Sequence, residues 1–251
     1  MWQENNNGGN ALGMGATDWE FKNRAMVFGI LIGCSFWLYA VDHQNASASV
    51  ANWVEARWHV NAEVVARGLF VLATLLLMLA SLIRTWASSY LHGGVVYASE
   101  VKSASLVADG PYRLVRNPLY FANVLMAVAL GSMMSRVGFV FVVAVMTLFC
   151  YRLIFREESE LRASQGAGYE AYCKAVPRLW PSLWPKIEAS GKIANWPDGF
   201  KAESWYWGFA VALAAYAATL KLWLFFVILA ASLGLFWAVA SKMGKKVESE
   251  K

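Results

Sequence analysis

The sequence predicts an all-α fold, a polytopic membrane helix bundle of about six transmembrane helices with a cytosolic catalytic motif region. Three observations favour this class. Of the 251 residues, 58% are hydrophobic and only 16% are charged, whereas soluble domains carry about 25% charged residues. Four apolar runs are each long enough for one or two helices that cross a hydrocarbon core of about 30 Å. Lysine and arginine residues concentrate in alternate connecting segments, as the positive-inside rule expects.

The chain begins with a polar tail, which is followed by the first apolar run. Residues 1–20 are rich in asparagine and glycine, which predicts a disordered tail. A retained first span is predicted at Ala25–Val41. A secretory signal peptide is an alternative, because Ala46-Ser-Ala48 loosely resembles a cleavage site. We favour the span because the run starts far from the N-terminus and contains Trp37 and Tyr39.

The next two apolar runs predict one span and one helical hairpin. The second span is expected at about Val64–Ala87, and a longer run extends over Leu119–Phe155. As a single helix, that longer run would reach about 55 Å, well beyond the thickness of the hydrocarbon core. It must therefore fold back on itself, and the glycine and serine residues of segment 131–138 mark the expected turn.

The last apolar run, Ser204–Ser241, is also too long for one span and predicts a second hairpin with its turn at Lys221. The polar segment before it, residues 156–203, contains several prolines. The sequence therefore divides into the tail, a membrane core with cytosolic motif segments at residues 21–203, this C-terminal hairpin, and a basic cytosolic tail at residues 242–251.

The distribution of positive charge orients the predicted spans. With a cytosolic N-terminus, all but four of the 22 lysine and arginine residues lie in cytosolic segments. The four exceptions are Arg57, Arg67, Arg136 and Lys221. Both termini are then cytosolic, and the expected location is a bacterial inner membrane or an equivalent one. Topology and anionic lipid headgroups explain the net charge of +5. Membrane lipids, not nucleic acid, are therefore the expected partners.

Two polar clusters flank the predicted hairpin at Leu119–Phe155. The first is Gly110-Pro-Tyr-Arg-Leu-Val-Arg-Asn-Pro-Leu-Tyr120, and the second is Arg156-Glu-Glu-Ser-Glu-Leu161. A hairpin brings its two ends together, so both clusters should meet at the cytosolic face. Pro118 suits the first turn of a helix, and Asn117 is then a candidate N-cap.

Ordinary structural explanations exist for each residue of these clusters. If the helix continues past residue 155, Arg156 and Glu160 share a face and form a common surface salt bridge, while Glu157 and Glu158 point to different sides. Arginines at a membrane boundary can serve topology alone, and tyrosines there are often interfacial. An anionic ligand group, in contrast, would suit the arginines beside a helix N-terminus.

Five motifs, in order and spacing, resemble the isoprenylcysteine carboxyl methyltransferase and phospholipid methyltransferase superfamily. They are Gly110-Pro111-Tyr112, Arg116-Asn117-Pro118-Leu119-Tyr120, Glu157-Glu158-Ser-Glu-Leu161, Gly166-Ala-Gly-Tyr169-Glu-Ala-Tyr172 and Val176-Pro177-Arg178. The resemblance covers about residues 64–185. Two residues depart from the pattern: Asn117 replaces the usual histidine, and Gln165 stands where an aromatic residue is common. Asparagine forms hydrogen bonds like a neutral imidazole but cannot take a proton near neutral pH.

The resemblance implies methyl transfer from S-adenosylmethionine to a lipophilic acceptor, either a prenylcysteine-like carboxylate or a lipid. It favours Arg116 and Glu158 as the catalytic pair. The residues implied in cofactor binding are Gly110, Tyr112, Arg116, Asn117, Pro118, Tyr120, Glu157, Glu158, Tyr169 and Tyr172. Arginine matches the cofactor carboxylate, the glutamates suit its ammonium group or ribose, and aromatic rings suit its adenine or sulfonium.

Two other classes of function remain open from the sequence. One is an NADPH-dependent membrane reductase acting on a lipid or sterol, which shares the hairpin and a glutamate-rich helix end. The other is a non-enzymatic membrane protein that keeps the fold. No metal site is expected, because the cysteine and histidine residues lack the spacing of metal ligands. These residues are Cys34, Cys150, Cys173, His43, His59 and His92.

Overall fold

The computed structural model describes residues 14–91 and 108–249, with side chains described up to residue 237. Within these ranges the chain forms eight α-helices and no β-strand, which confirms the predicted all-α class. The helices are α1 (Asp18–Lys22), α2 (Arg24–Trp37), α3 (Ala46–Trp58), α4 (Ala62–Tyr90), α5 (Pro118–Gly131), α6 (Arg136–Ala175), α7 (Trp196–Thr219) and α8 (Leu222–Ser249).

Two of the described helices, α4 and α6, are long and apolar enough to cross a membrane by length and composition. The apolar stretches of α2, α5 and α8 are shorter. The prediction of six spans is therefore not confirmed. The runs that suggested it are present as helices, but α2 and α5 have 14 residues each, below the roughly 20 residues that a span needs.

The two predicted hairpins are present. α5 ends at Gly131 and α6 begins after Ser135, whose hydroxyl accepts a hydrogen bond from the Gly138 amide at 3.0 Å. α7 and α8 are separated at Leu220, which adopts a left-handed conformation, and Lys221. α7 begins at Trp196, earlier than residue 204, because Asn195 caps it.

The expectation of a disordered tail over residues 1–20 is wrong for residues 14–20. Thr17 and Glu20 form a reciprocal capping box at the start of α1. The Ala16 amide donates to the Arg152 carbonyl of α6 at 2.9 Å, and Phe21 is buried. The segment is therefore fixed against α6 by specific contacts. The asparagine- and glycine-rich residues 5–10 lie outside the described part of the chain.

The connection that sequence analysis predicted between the first two spans contains an additional helix, α3. Asn45 caps it by accepting a hydrogen bond from the Ala48 amide at 2.8 Å, and Ala51 is buried in its middle. Alanine and serine alternate in its first turn, so the long apolar run that identified the other helices is absent. The helix ends at His59, which has a left-handed backbone conformation.

α4 lies at the centre of the bundle and packs against α3, α5 and α7. Its apolar face buries Leu77 and Ala80 completely. One turn further on, Arg84 is also buried and binds the fully buried Glu203 of α7, with Nε and Oε2 2.5 Å apart. Arg84 Nη1 donates to Asn123 Oδ1 of α5 at 2.9 Å, and the Tyr206 hydroxyl donates to the same oxygen. A buried polar network thus joins α7 to α4 and α5.

Candidate active site

The two polar clusters meet at Glu158, a fully buried residue of α6. Its carboxylate lies close to three guanidinium groups: one from the first cluster, one from α6 and one from the loop that follows α6. The distances are 3.4 Å to Arg116 Nη1, 3.4 Å to Arg162 Nη2 and 3.1 Å to Arg178 Nη2. The predicted catalytic pair is therefore in contact, and the cluster carries an excess of positive charge.

Asn117 links this cluster to the loop that follows α6. Its Nδ2 atom donates to Glu158 Oε1 at 3.3 Å and to the Arg178 carbonyl at 3.0 Å. Asn117 occupies the N-cap position of α5, as predicted, but its side chain makes no capping hydrogen bond there. The side chain instead forms hydrogen bonds with Glu158 and the backbone of Arg178. Pro118 begins α5, as predicted.

Arg116 has unused hydrogen-bonding capacity in a buried position. Its side chain is only 7% exposed, and among the described residues its Nε and Nη1 atoms have no hydrogen-bond partner. Nη1 faces Glu158 but without the alignment of a hydrogen bond. Buried guanidinium donors are normally satisfied, and leaving one unpaired is costly. The arrangement suits an anionic acceptor such as a carboxylate.

A cavity of about 480 Å³ lies next to Arg116. Its other lining residues come from the end of α6 and the loop that follows, and they include two lysines. They are Cys173, Lys174, Ala175, Val176, Pro177, Trp180, Ser182 and Lys186. The positive lining extends the charge of the Glu158 cluster, so the cavity favours a ligand with an anionic group.

Glu157 lies on the other side of α6, as the helical spacing predicted. The Tyr120 hydroxyl of α5 donates to Glu157 Oε1 at 2.7 Å. The two neighbouring glutamates therefore hold different partners: Glu158 binds the arginines, and Glu157 joins the two helices of the hairpin through Tyr120.

Three motif tyrosines pack together beside the first cluster. The Tyr172 hydroxyl donates to the Tyr112 carbonyl at 2.8 Å, and the Tyr169 and Tyr172 rings lie 5.9 Å apart. All three side chains are buried, and burial raises the pKa of Tyr112 well above its usual value. None of them lines the Arg116 cavity. They stabilise the motif region, and their contact with a cofactor stays a prediction.

Gly110 has a conformational reason to be glycine. Its φ of +56° lies in the left-handed region, and a Cβ atom there would lie 2.3 Å from Cε2 of Tyr90. The neighbouring Asp109 fixes the loop after the motifs, since its carboxylate accepts from the Ser190 and Lys192 amides at 2.8 and 3.1 Å. Burial opposes ionisation of Asp109, but the hydrogen bonds outweigh it and hold its pKa below the usual value.

Sequence reasoning missed several residues of the site. Arg162 follows Glu158 by four residues, so helical spacing would have revealed that pair. Arg178 belongs to a recognised motif but was assigned no role. Backbone hydrogen bonds then align the loop with the first cluster: Arg116 N donates to Pro177 O at 2.9 Å, and Lys186 N donates to Arg113 O at 2.9 Å. Such pairings have no local sequence signal.

Among the described residues, no group of three or more histidine, cysteine, aspartate or glutamate residues is placed to hold a metal ion.

Comparisons with known proteins identify one family and two relatives to which part of this chain is similar. Residues 69–165 match the model of the phospholipid methyltransferase family. The chain is 31% identical over 115 residues to the cobalt-zinc-cadmium resistance protein CzcN of Cupriavidus metallidurans, covering 46% of this chain and 50% of the relative. It is 29% identical over 105 residues to the nickel-cobalt-cadmium resistance protein NccN of Alcaligenes xylosoxydans xylosoxydans, covering 42% and 46% respectively.

The chain spans about half the length of the curated relatives it matches. No solved structure matches it. The matched range contains the Glu158 cluster apart from Arg178, and it includes the helical hairpin. Together with the two apolar helices, the match indicates a membrane protein. Residues 69–165, which contain the first three of the five motifs, therefore match the phospholipid methyltransferase family, as the motifs predicted.

Proposed function

We propose that the protein transfers a methyl group from S-adenosylmethionine to a lipophilic acceptor at the cytosolic membrane face. The observation that carries this proposal is Arg116, a buried arginine beside Glu158 and a cationic cavity. Its Nε and Nη1 atoms have no hydrogen-bond partner among the residues that the structure describes. The family match supports methyl transfer in general. The acceptor is proposed to be a prenylcysteine-like carboxylate or another lipid.

The residues of the site fit this cofactor. Arg116 would bind its carboxylate, because a guanidinium fork matches carboxylate geometry. Glu157 or Glu158 would bind its ammonium group or ribose hydroxyls, and Glu157 is the less committed of the two, with Tyr120 as its hydrogen-bond donor. When bound, the cofactor supplies an electrophilic methyl group on a sulfonium.

The chain's own residues would act mainly by positioning. Arg178, Arg162 and Asn117 fix the Glu158 carboxylate, and Glu158 in turn orients Arg116. Holding two reactants in line for displacement can supply a large part of an acceleration without any proton transfer. A carboxylate acceptor needs no general base, but it does need a cation, and Arg113, Arg116 and Arg156 are the arginines proposed for that role.

The proposed topology follows the distribution of positive charge. Both termini and the Glu158 cluster would lie in the cytosol of a bacterium or its equivalent, with six membrane-crossing segments. The α5–α6 hairpin supports this placement, since Glu158 lies 22 residues after Arg136, the first residue of α6, which is about 33 Å along the helix from the turn.

Calorimetric titration of the detergent-solubilised protein with S-adenosylmethionine tests the proposal. The wild-type protein is expected to bind, and Arg116→Gln to weaken binding by about tenfold or more, the typical worth of a charged hydrogen bond. Arg162→Gln is the matched control. It also removes one cation from Glu158, but the Arg162 side chain is 43% exposed.

Two further titrations separate the alternatives. Glu158→Ala should abolish binding, because it removes the carboxylate that orients Arg116. NADPH titrated into the same sample should give no heat of binding if the methyltransferase proposal is right. Binding of NADPH without S-adenosylmethionine would favour a membrane reductase, and binding of neither would favour a protein that keeps the fold without the chemistry.

A further inference from the structure

The loop after α6 carries a group of exposed apolar side chains. Trp180 is 61% exposed, Leu183 is 90% exposed and Trp184 is 76% exposed. Two prolines, Pro181 and Pro185, lie among them. In the same loop Leu179 is buried in the core, so the apolar side chains divide into one that faces the protein and three that face outward.

The backbone of this loop is fixed by hydrogen bonds to the first cluster. Ser182 N donates to Leu114 O at 3.0 Å, and Lys186 N donates to Arg113 O at 2.9 Å. The Ser182 hydroxyl donates to the Trp184 carbonyl at 2.7 Å. The three side chains are therefore held on the surface by an anchored backbone, and their exposure is a property of the fold.

Contacts place this surface beside the hairpin. The Trp180 ring packs edge-on against Phe121 in the first turn of α5, with ring centroids 5.9 Å apart. The loop therefore lies where the apolar hairpin begins. Trp180 and Lys186 also line the Arg116 cavity. The loop therefore borders both the cavity and the outer surface of the protein.

We propose that residues 180–184 insert into the bilayer interface and form the lipid-facing entrance to the Arg116 cavity. Tryptophan is enriched at membrane interfaces, where its ring meets both apolar and polar surroundings. Lys186 stands at the edge of the apolar group, where a lysine meets anionic headgroups. A lipid surface fits this combination better than a protein partner because the group is continuous with the membrane hairpin through Phe121.

This entrance would let the proposed acceptor pass from the bilayer into the Arg116 cavity. That route rests on the proposed function. An amphiphile would keep its apolar part along Trp180, Leu183 and Trp184 while its anionic head enters the cavity. Insertion of the loop itself does not depend on any methyltransferase activity, so the two proposals can fail separately.

Site-specific labelling in nanodiscs tests the insertion. Cys34 and Cys173 are first replaced by serine, because Cys34 is exposed and Cys173 partly so, whereas Cys150 is buried. Leu183→Cys is then labelled with an environment-sensitive fluorophore in phosphatidylcholine–phosphatidylglycerol nanodiscs. Doxyl-labelled lipid is added as a quencher that acts only within the bilayer.

Ala167→Cys is the matched control, since Ala167 is exposed and lies beyond the end of the apolar run at Phe155, just after the break in helical geometry at Gly166. The probe at position 183 is expected to shift its emission to the blue and to be quenched by doxyl lipid, while the probe at position 167 is not. Equal emission and equal quenching at both positions would overturn the proposal and leave the loop as a surface for a protein partner. S-adenosylmethionine titrated into unlabelled nanodiscs reports separately on the proposed function.

Discussion

Replacing Glu203 with alanine is expected to destabilise the protein by about 3–5 kcal/mol, the usual cost of removing one partner of a buried ion pair. The Glu203 carboxylate is fully buried. It accepts hydrogen bonds from Arg84 Nε at 2.5 Å, Arg84 Nη2 at 3.1 Å and Ser88 Oγ at 2.6 Å. Without it, the neutral oxygens of Asn123 and Leu119 still accept from Arg84, but the arginine's charge remains buried without its carboxylate.

The free energy of unfolding, measured by SDS titration in mixed micelles, checks this magnitude. A loss of 3 kcal/mol corresponds to a change of about a hundredfold in the folding equilibrium constant. Glu63→Ala is the matched control, because it also removes a carboxylate from an arginine on α4, but the Glu63 side chain is 62% exposed. Such surface pairs contribute at most about 1 kcal/mol.

A double variant separates buried charge from lost packing. Arg84→Met with Glu203→Leu removes both charges and keeps similar volume, so it should recover most of the loss. The reasoning is refuted if Glu203→Ala costs no more than Glu63→Ala. A double variant as unstable as the single one would show that the hydrogen bonds of the network, and not its isolated charge, dominate.

Three further predictions concern the packing around the site. Gly199→Ala should cost about 1–3 kcal/mol in the same titration, because its Cβ would lie 2.6 Å from a backbone oxygen of α4, whereas Gly68→Ala, with nothing within 4 Å, should not destabilise. Asp109→Asn should lower the thermal unfolding temperature at pH 7. Since the folded pKa of Asp109 is lowered, its stabilisation is present above about pH 4, and the difference between variant and wild type should disappear as pH falls through that lowered pKa. Tyr172→Phe leaves the Tyr112 carbonyl without a donor at 2.8 Å and should cost about 1–3 kcal/mol of unfolding free energy.

The hairpin and the meeting of its two clusters could be predicted because both follow from helix geometry. An apolar run longer than the hydrocarbon core must turn, and a turn brings its ends together. The different directions of Glu157 and Glu158 follow from the angle of about 100° between adjacent residues on a helix. The Arg156–Glu160 pair, 2.8 Å apart, was predictable from the same spacing.

Other features depend on partners that are distant in the chain. The Arg84–Glu203 pair joins residues 119 positions apart, and no local pattern marks it. Residues 14–20 have the composition of a loose tail, yet Ala16 and Glu20 bind Arg152 of α6. The six-span prediction treated every apolar run as a membrane crossing, but apolar length alone does not distinguish a crossing helix from one that packs within the bundle.

Asn117, the departure from the family pattern at the centre of the site, is compatible with methyl transfer to one kind of acceptor. Its amide nitrogen donates to both Glu158 and the Arg178 carbonyl, which a single imidazole N–H would not do as readily. The same amide cannot take up a proton near neutral pH. Under the proposed function, an amine acceptor must lose a proton during methylation, and residue 117 could not receive it. A carboxylate acceptor is already ionised at neutral pH and needs only a cation to hold it. The asparagine therefore favours a lipophilic carboxylate over a phospholipid amine as the methyl acceptor.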